Sequence, residues 1–281
     1  MQSSVSSRIL IYAAAIFTAA VIIAPFLWLV ISSLAAPADL LVRPLRWIPE
    51  HPSFSRYAEV FSVAGSAAST FRAAMVNSAI VATSSVLISM GVGIFGAYAF
   101  ARLRFRFQRA ILLLFLSTYM LPPIAILISL YLTLVQLRLL DSKLGLVLVY
   151  CSFITPFVLW IMSGYFRGIP RDLEDAARID GCSRMGALFR VVLPLARPGL
   201  LATALFGFLL AWDEFLYALI FTSSLGSKTI PVAIAEFTGR NAVDFGMIAT
   251  GGIVASLPPL AIAFLFQRYI VGGLAAGGVK G

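Results

Sequence analysis

Charged side chains are scarce in this chain. They make up 12% of its 281 residues, about half the share of an ordinary soluble domain, while 60% of the residues are hydrophobic. So few charges cannot solubilise so much apolar surface, so lipid is the expected main solvent. Histidine occurs once, at His51, and cysteine twice, at Cys151 and Cys182. No metal-ligand set can be spaced from these three. A disulfide is not expected, because Cys151 falls in an apolar run and Cys182 in a polar loop. The sequence also lacks a Gly-x-x-x-x-Gly-Lys-[Ser/Thr] phosphate loop, so the chain is not expected to bind ATP itself, and no cofactor is expected on it. No internal repeat or low-complexity segment stands out.

What is plentiful is long apolar runs. A spanning helix needs about 20 mostly apolar residues. Six stretches qualify, roughly 9–34, 73–100, 110–135, 144–166, 200–222 and 246–267. The expected fold class is therefore an all-α membrane protein of six transmembrane helices. The first run, Ile9 to Leu34, is too long for a signal core and lacks a small-residue cleavage site, so it is read as a retained span.

An even number of spans puts both termini on one side. With the N-terminus inside, the inner segments carry Arg8, the group Arg102, Arg104, Arg106 and Arg109, six arginines between Arg167 and Arg197, then Arg268 and Lys280. That is 13 of the 21 Lys and Arg, against 8 outside. The positive-inside rule thus places both termini in the cytoplasm. The net charge of +9 then reads as topology, and nucleic acid is not an expected partner. The first outer loop, about 35–72, carries Pro37, Pro44, Pro49 and Pro52 with Trp47 and Tyr57. Those aromatics suit a membrane interface, or a contact with an external partner.

Proline marks four spans, at Pro25, Pro122-Pro123, Pro156 and Pro258-Pro259. The two Pro-Pro pairs are candidate hinges, with static kinks as the alternative. Gly91-Val92-Gly93-Ile94-Phe95-Gly96 matches the dinucleotide-binding spacing, but it lies inside an apolar span without a preceding strand. Close helix packing is the expected use of these glycines.

The most informative segment is polar and on the inner side, Ile169 to Leu200. Pro170 suits a first helical turn, and Asp172, Glu174 and Asp175 follow where acids favour a helix N-terminus. Gly181 sits where a helix stops in a left-handed turn. Ser183 can cap a second short helix, which Pro194 is expected to end. The product is a small helix–turn–helix elbow whose alanines and charges suit docking into a groove of another protein. An amphipathic interfacial loop is the alternative. The segment is longer than the about 2–8 residues that simply join helices, and its acids sit poorly against an anionic leaflet.

This elbow resembles the EAA loop of ABC importer permeases. Asp175-Ala176-Ala177 stands in register with Gly181, preceded by Glu174, with Asp180 before the glycine and Leu193-Pro194 beyond. The strict motif has Glu where Asp175 stands. Asn77-Ser78, Ala97-Tyr98-Ala99-Phe100-Ala101-Arg102, Leu140-Asp141-Ser142-Lys143 and the block from Gln267 to Gly281 are similar to the carbohydrate branch of that family. Pro231 to Gly239 resembles the maltose/trehalose-type permeases.

The resemblance implies a type I importer permease fold. It divides the chain into a first span and periplasmic loop (1–72), a five-helix core (73–267, coupling loop about 169–199) and a cytoplasmic tail (268–281). It implies a non-catalytic subunit in a bacterial inner membrane, passing a disaccharide, another carbohydrate or a polyol phosphate inward. Implied partners are a second permease subunit, a homodimeric ATP-binding subunit and an external solute-binding protein. Glu174, Asp175, Ala176, Ala177, Asp180 and Gly181 become the ATPase-coupling residues, with Glu174 and Asp175 pairing with a basic ATPase side chain. The Gly-rich tail either reaches the ATPase or frays.

Asp213 and Glu214 are the only acids in the six runs. An ionisable group at mid-membrane costs about 2.5–3.5 kcal/mol and usually faces a cavity or protein interior. With Trp212 and Tyr217 they form a candidate sugar contact, Tyr217 being read one helical turn after Asp213. Hydrogen bonding between helices is the alternative. A secondary transporter would show more intramembrane charge, and a membrane enzyme a catalytic constellation at depth.

Overall fold

The structure is a computed structural model that describes residues 5–40, 47–62, 66–238 and 243–278. Arg43, Pro44, Arg46, Gly239, Arg240 and residues 279–281 of the sequence reading lie outside the described residues, as do the side chains of 268–278. Helices follow one another as α1 (Val5–Leu34), α2 (Ser55–Phe61), α3 (Ser66–Arg102), α4 (Gln108–Ser117), α5 (Pro123–Gln136), α6 (Lys143–Gly168), α7 (Arg171–Ile179), α8 (Arg184–Ala187), α9 (Leu193–Leu195), α10 (Arg197–Trp212), α11 (Leu216–Phe221), α12 (Ile230–Ala235) and α13 (Phe245–Gly278). The chain forms two compact units, 1–72 with 233–257, and 73–232 with 258–281.

Four of the six expected spans are continuous helices: Arg8–Leu34, Ser69–Arg102, Lys143–Gly168 and Phe245–Gln267. The third is not. It bends by 96° between Met120 and Pro123. Each residue before a proline is pushed out of the helical region, and here two follow in sequence: Leu121 has ψ 121° and Pro122 ψ 131°. Pro123 then starts α5, where its missing N–H costs nothing. The fifth is also interrupted. The 16 residues of α10 reach about 24 Å, short of a hydrocarbon layer of about 30 Å. The helix stops at Trp212 and resumes as α11. Pro25, Pro156 and Pro258-Pro259 sit inside unbroken helices, so only one of the two expected Pro-Pro hinges is a break. The expected tail from residue 268 continues α13 as helix to Gly278.

In the first unit the organising residue is Arg56, buried on α2. Its guanidinium donates to the carbonyls of Ala35, at 2.6 Å, and Ser33, at 3.2 Å, at the end of α1. These are carbonyls that no helix partner can satisfy. Asp244 lies 3.6 Å from the same guanidinium. The Tyr57 hydroxyl bonds Ser33 Oγ at 2.8 Å, so Tyr57 braces the loop, while Trp47 stays exposed and meets Trp28 edge-on.

In the second unit α3 packs on α6 through glycine. A Cβ at Gly93 would lie 2.6 Å from Val158 Cγ1, and one at Gly96 3.1 Å from Leu159 Cδ1, whereas Gly91 faces open space. Two of the three glycines in the misleading dinucleotide pattern therefore serve close approach. Gly93→Ile should lower the melting temperature of the detergent-purified protein, at an overpacking cost of about 1–3 kcal/mol, because the branched, stiff Val158 cannot swing away. Gly91→Ile should leave the melt unchanged.

Candidate functional site

The elbow is built as its residue types dictate. Asp172 and Glu174 occupy the first turn of α7, with Pro170 just ahead of it as cap residue. The helix ends in a Schellman closure: Gly181 takes φ +88°, its amide donates to Arg178 O at 3.1 Å, and the Cys182 amide donates to Ala177 O at 3.0 Å. The Ser183 hydroxyl accepts from Gly186 N at 3.0 Å and starts α8. Pro194 does not end the second helix. The chain runs on through a π turn, Leu188–Val192, and α9 to Leu195. The wider π turn accommodates the missing proline N–H and its ring.

The two neighbouring acids of α7 differ in burial. Asp175 is exposed, 3.8 Å from Arg178, as are Ala176, Asp180 and, at 87% exposure, Ile179. Glu174 is buried. Arg102 Nε donates to Glu174 Oε2 at 2.8 Å, both side chains being 10% exposed or less. The Tyr98 hydroxyl donates to Glu174 Oε1, and Arg102 Nη2 also donates to Ile169 O at 2.9 Å. Glu174, expected to pair with a partner's basic residue, has its charge satisfied inside this chain, at the last turn of α3. The inward position of α7 is held by an acid, which must be neutralised there. Tyr98 and Arg102 were visible only as part of a motif, without a role.

The two broken helices meet at α6. The α10–α11 break exposes the first amides of α11, and Glu214 accepts both, from Tyr217 N at 2.8 Å and Ala218 N at 3.0 Å. Tyr150 Oη on α6 donates to the same carboxylate at 2.7 Å. Across a cavity of about 260 Å³ lies the α4–α5 break, where Tyr119 Oη donates to Phe153 O at 2.6 Å. Glu214, Tyr217, Tyr119, Phe153 and Ser152 line it. Of the four residues expected here, Glu214 and Tyr217 are brought together. Trp212 is buried and stacked on Phe208, Asp213 is exposed, and neither lines the cavity. Tyr217 is also not one turn after Asp213 on a common helix, because the helix breaks between them.

A loop at the far end of α11 is pinned by residues singled out in the sequence. Asp141 Oδ1 accepts from Ser223 N at 2.8 Å, Ser224 N at 3.0 Å and Ser227 Oγ. Burial alone would raise the Asp141 carboxyl, but these hydrogen bonds outweigh it and hold the group well below the usual carboxylate range. Asn77 Nδ2 donates to Leu225 O and Lys228 O, and Ser78 Oγ accepts from Ile230 N. Among the described residues no His, Cys, Asp and Glu set could hold a metal.

Residues 89–275 match the family described as binding-protein-dependent transport system inner membrane component. The trehalose/maltose transport system permease protein MalG of Thermococcus litoralis is 34% identical over 282 residues, covering all of both chains. The sulfoquinovosyl glycerol transport system permease protein SmoH of Agrobacterium fabrum is 36% identical, over 92% of this chain and 88% of its own. The trehalose transport system permease protein SugB of Mycobacterium tuberculosis is 36% identical over 92% of each. Among solved structures, a chain of a bacterial ABC transporter involved in the import of the acidic polysaccharide alginate superposes with TM-score 0.77. It is 20% identical, over 96% of this chain and 99% of that one, and so speaks to the fold.

Proposed function

The chain belongs to the binding-protein-dependent transport system inner membrane components, and from that premise we propose that it is the membrane-spanning, non-catalytic permease subunit of an ATP-driven sugar importer. The observation that carries this reading is the elbow. It is a rigid, exposed knob, closed by Gly181 and bolted by Glu174 to the last turn of a spanning helix. Force applied to α7 by a moving partner passes through one buried ion pair to α3. Asp175, with exposed Ala176 and Asp180 beside it, is the outward acid that pairs with a homodimeric ATP-binding subunit on the cytoplasmic side. Both termini lie on that side. A second permease subunit and an external solute-binding protein complete the complex, and residues 73–267 are its core.

The sugar pathway runs past the junction of the two broken helices. Interrupted helices meeting near mid-span are where transporters place binding sites, and aromatic faces beside a carboxylate suit a pyranose. The 260 Å³ cavity falls just under the about 300–1,000 Å³ of pockets that enclose whole ligands. One sugar ring fits, and the second permease supplies the rest of the site. The trehalose and maltose relatives favour a disaccharide as cargo.

Asp175→Lys tests the elbow in the assembled complex. Reversing a docking charge costs about 2 kcal/mol or more, so ATPase binding to the permease pair should weaken about thirty-fold and uptake should fall with it. Wild-type uptake with a firmly bound ATPase would remove Asp175 from the interface.

A further inference from the structure

Beside the elbow, where α3 ends, α4 begins and α6 ends, lies a cavity of about 740 Å³ that neither coupling nor the sugar pathway uses. Five arginines line it (Arg102, Arg104, Arg109, Arg167 and Arg171) and no acid does. Arg102 is spent on Glu174. Arg167 and Arg171 each lend one nitrogen to the last carbonyls of α3, Phe100 O at 3.3 Å and Ala101 O at 3.4 Å. Stabilising a helix C-terminus explains those two contacts. It does not explain Arg104 and Arg109, and among the described residues it leaves most donors of all four guanidiniums without a partner. Among the described residues no carboxylate forms an ion pair with any of these four.

Four cations facing one open cavity repel one another unless an anion joins them. The rest of the lining says which kind. Leu103, Leu112 and Leu113 form an apolar wall. The wall continues into α4, which buries no side chain and exposes Ile111, Leu113 and Leu114. Polar donors thus sit at the end of two spanning helices, and an uncovered apolar strip leads away from them into the bilayer. Guanidinium forks match phosphate oxygens, and basic pockets between transmembrane helices take anionic headgroups. A soluble partner's carboxylates would satisfy the arginines but not the apolar strip below them.

We propose that this cavity binds the phosphodiester headgroup of an anionic glycerophospholipid, with an acyl chain along α4. The site needs only that α3 and α6 span the membrane. It stands whichever face is cytoplasmic, so an error in orientation and an error in this site are separable.

The test uses the whole complex, purified in detergent, with phosphatidylglycerol, phosphatidylcholine of the same chains, and inorganic phosphate as probes. Native mass spectrometry should show phosphatidylglycerol retained over phosphatidylcholine. Arg104→Gln with Arg109→Gln should weaken that retention about thirty-fold, with assembly unchanged. In the unaltered complex a photoactivatable phosphatidylglycerol should label the peptide containing residues 103–113, a result that needs no variant to fold. Equal retention of the two lipids, persistence of the adduct in the double variant, or labelling confined to other peptides would overturn the proposal. So would displacement by inorganic phosphate, which marks a free-anion site. Loss of the ATPase from the double variant with lipid retention intact would reassign the arginines to a protein contact.

Discussion

Glu174→Ala should abolish sugar uptake and lower the thermal stability of the complex. The substitution removes the carboxylate that accepts from two buried donors, the Arg102 guanidinium and the Tyr98 hydroxyl. Removing one member of a buried ion pair costs about 3–5 kcal/mol, because the survivor keeps its charge without a partner. The loss is local to the seam between α7 and α3, so the elbow should detach from the spanning helix while the bundle stays folded. ATP hydrolysis by the bound partner should then continue without transport. Two further variants separate charge from packing. Glu174→Gln retains an acceptor for Tyr98 and should lose less stability than alanine. Combining Glu174→Leu with Arg102→Met removes both charges, and such replacements are often neutral in stability. The pair should melt near wild type and still transport poorly if the ion pair sets the geometry of coupling. Normal uptake by Glu174→Ala would show that this seam carries no force.

The contrast between Glu174 and Asp175 shows where the sequence stopped being legible. The elbow itself was readable because its signals are local: acids in a first turn, a glycine at the left-handed position, a serine cap. The glycine maps onto the two hydrogen bonds of the helix closure and the serine onto one cap hydrogen bond. Which of two adjacent acids turns inward depends instead on what α3 offers 72 residues earlier, and no local signal encodes that. The same division holds for the spans. Hydropathy marked six runs, four of them continuous helices long enough to span, since the cost of exposing backbone to lipid acts on any long apolar run. It could not distinguish a straight helix from a bent one. The Pro122-Pro123 break was written in the residues but read as one of two equivalent hinges. In α13, Pro258-Pro259 leaves the helix whole. The break after Trp212 has no proline. It arises because Glu214 captures the amides of Tyr217 and Ala218, and assuming a continuous helix put Tyr217 on the wrong face relative to Asp213.

That break predicts opposite outcomes for neighbouring acids. Glu214→Gln should cut the catalytic efficiency of uptake about ten- to hundredfold, whereas Asp213→Asn should leave it within about twofold. Glutamine at 214 still offers one acceptor to Tyr150 or to the α11 amides, so the helix should start where it does now. What disappears is the charge on a group lining the cavity, and a hydrogen bond to a charged partner is worth about 1.5–3 kcal/mol, the size of the expected loss. Asp213 is exposed, lines no part of that cavity, and among the described residues forms no hydrogen bond with another side chain. Glu214→Ala should be worse than glutamine in a second way. It strips the N-terminus of α11 of its cap, at about 0.5–2 kcal/mol, and leaves a buried phenol unpaired, so stability and uptake should fall together. A melt that drops for alanine and holds for glutamine, with uptake lost in both, separates scaffolding from sugar contact. If glutamine transports normally, the carboxylate serves only to break and restart the helix, and the sugar is held by the partner permease alone.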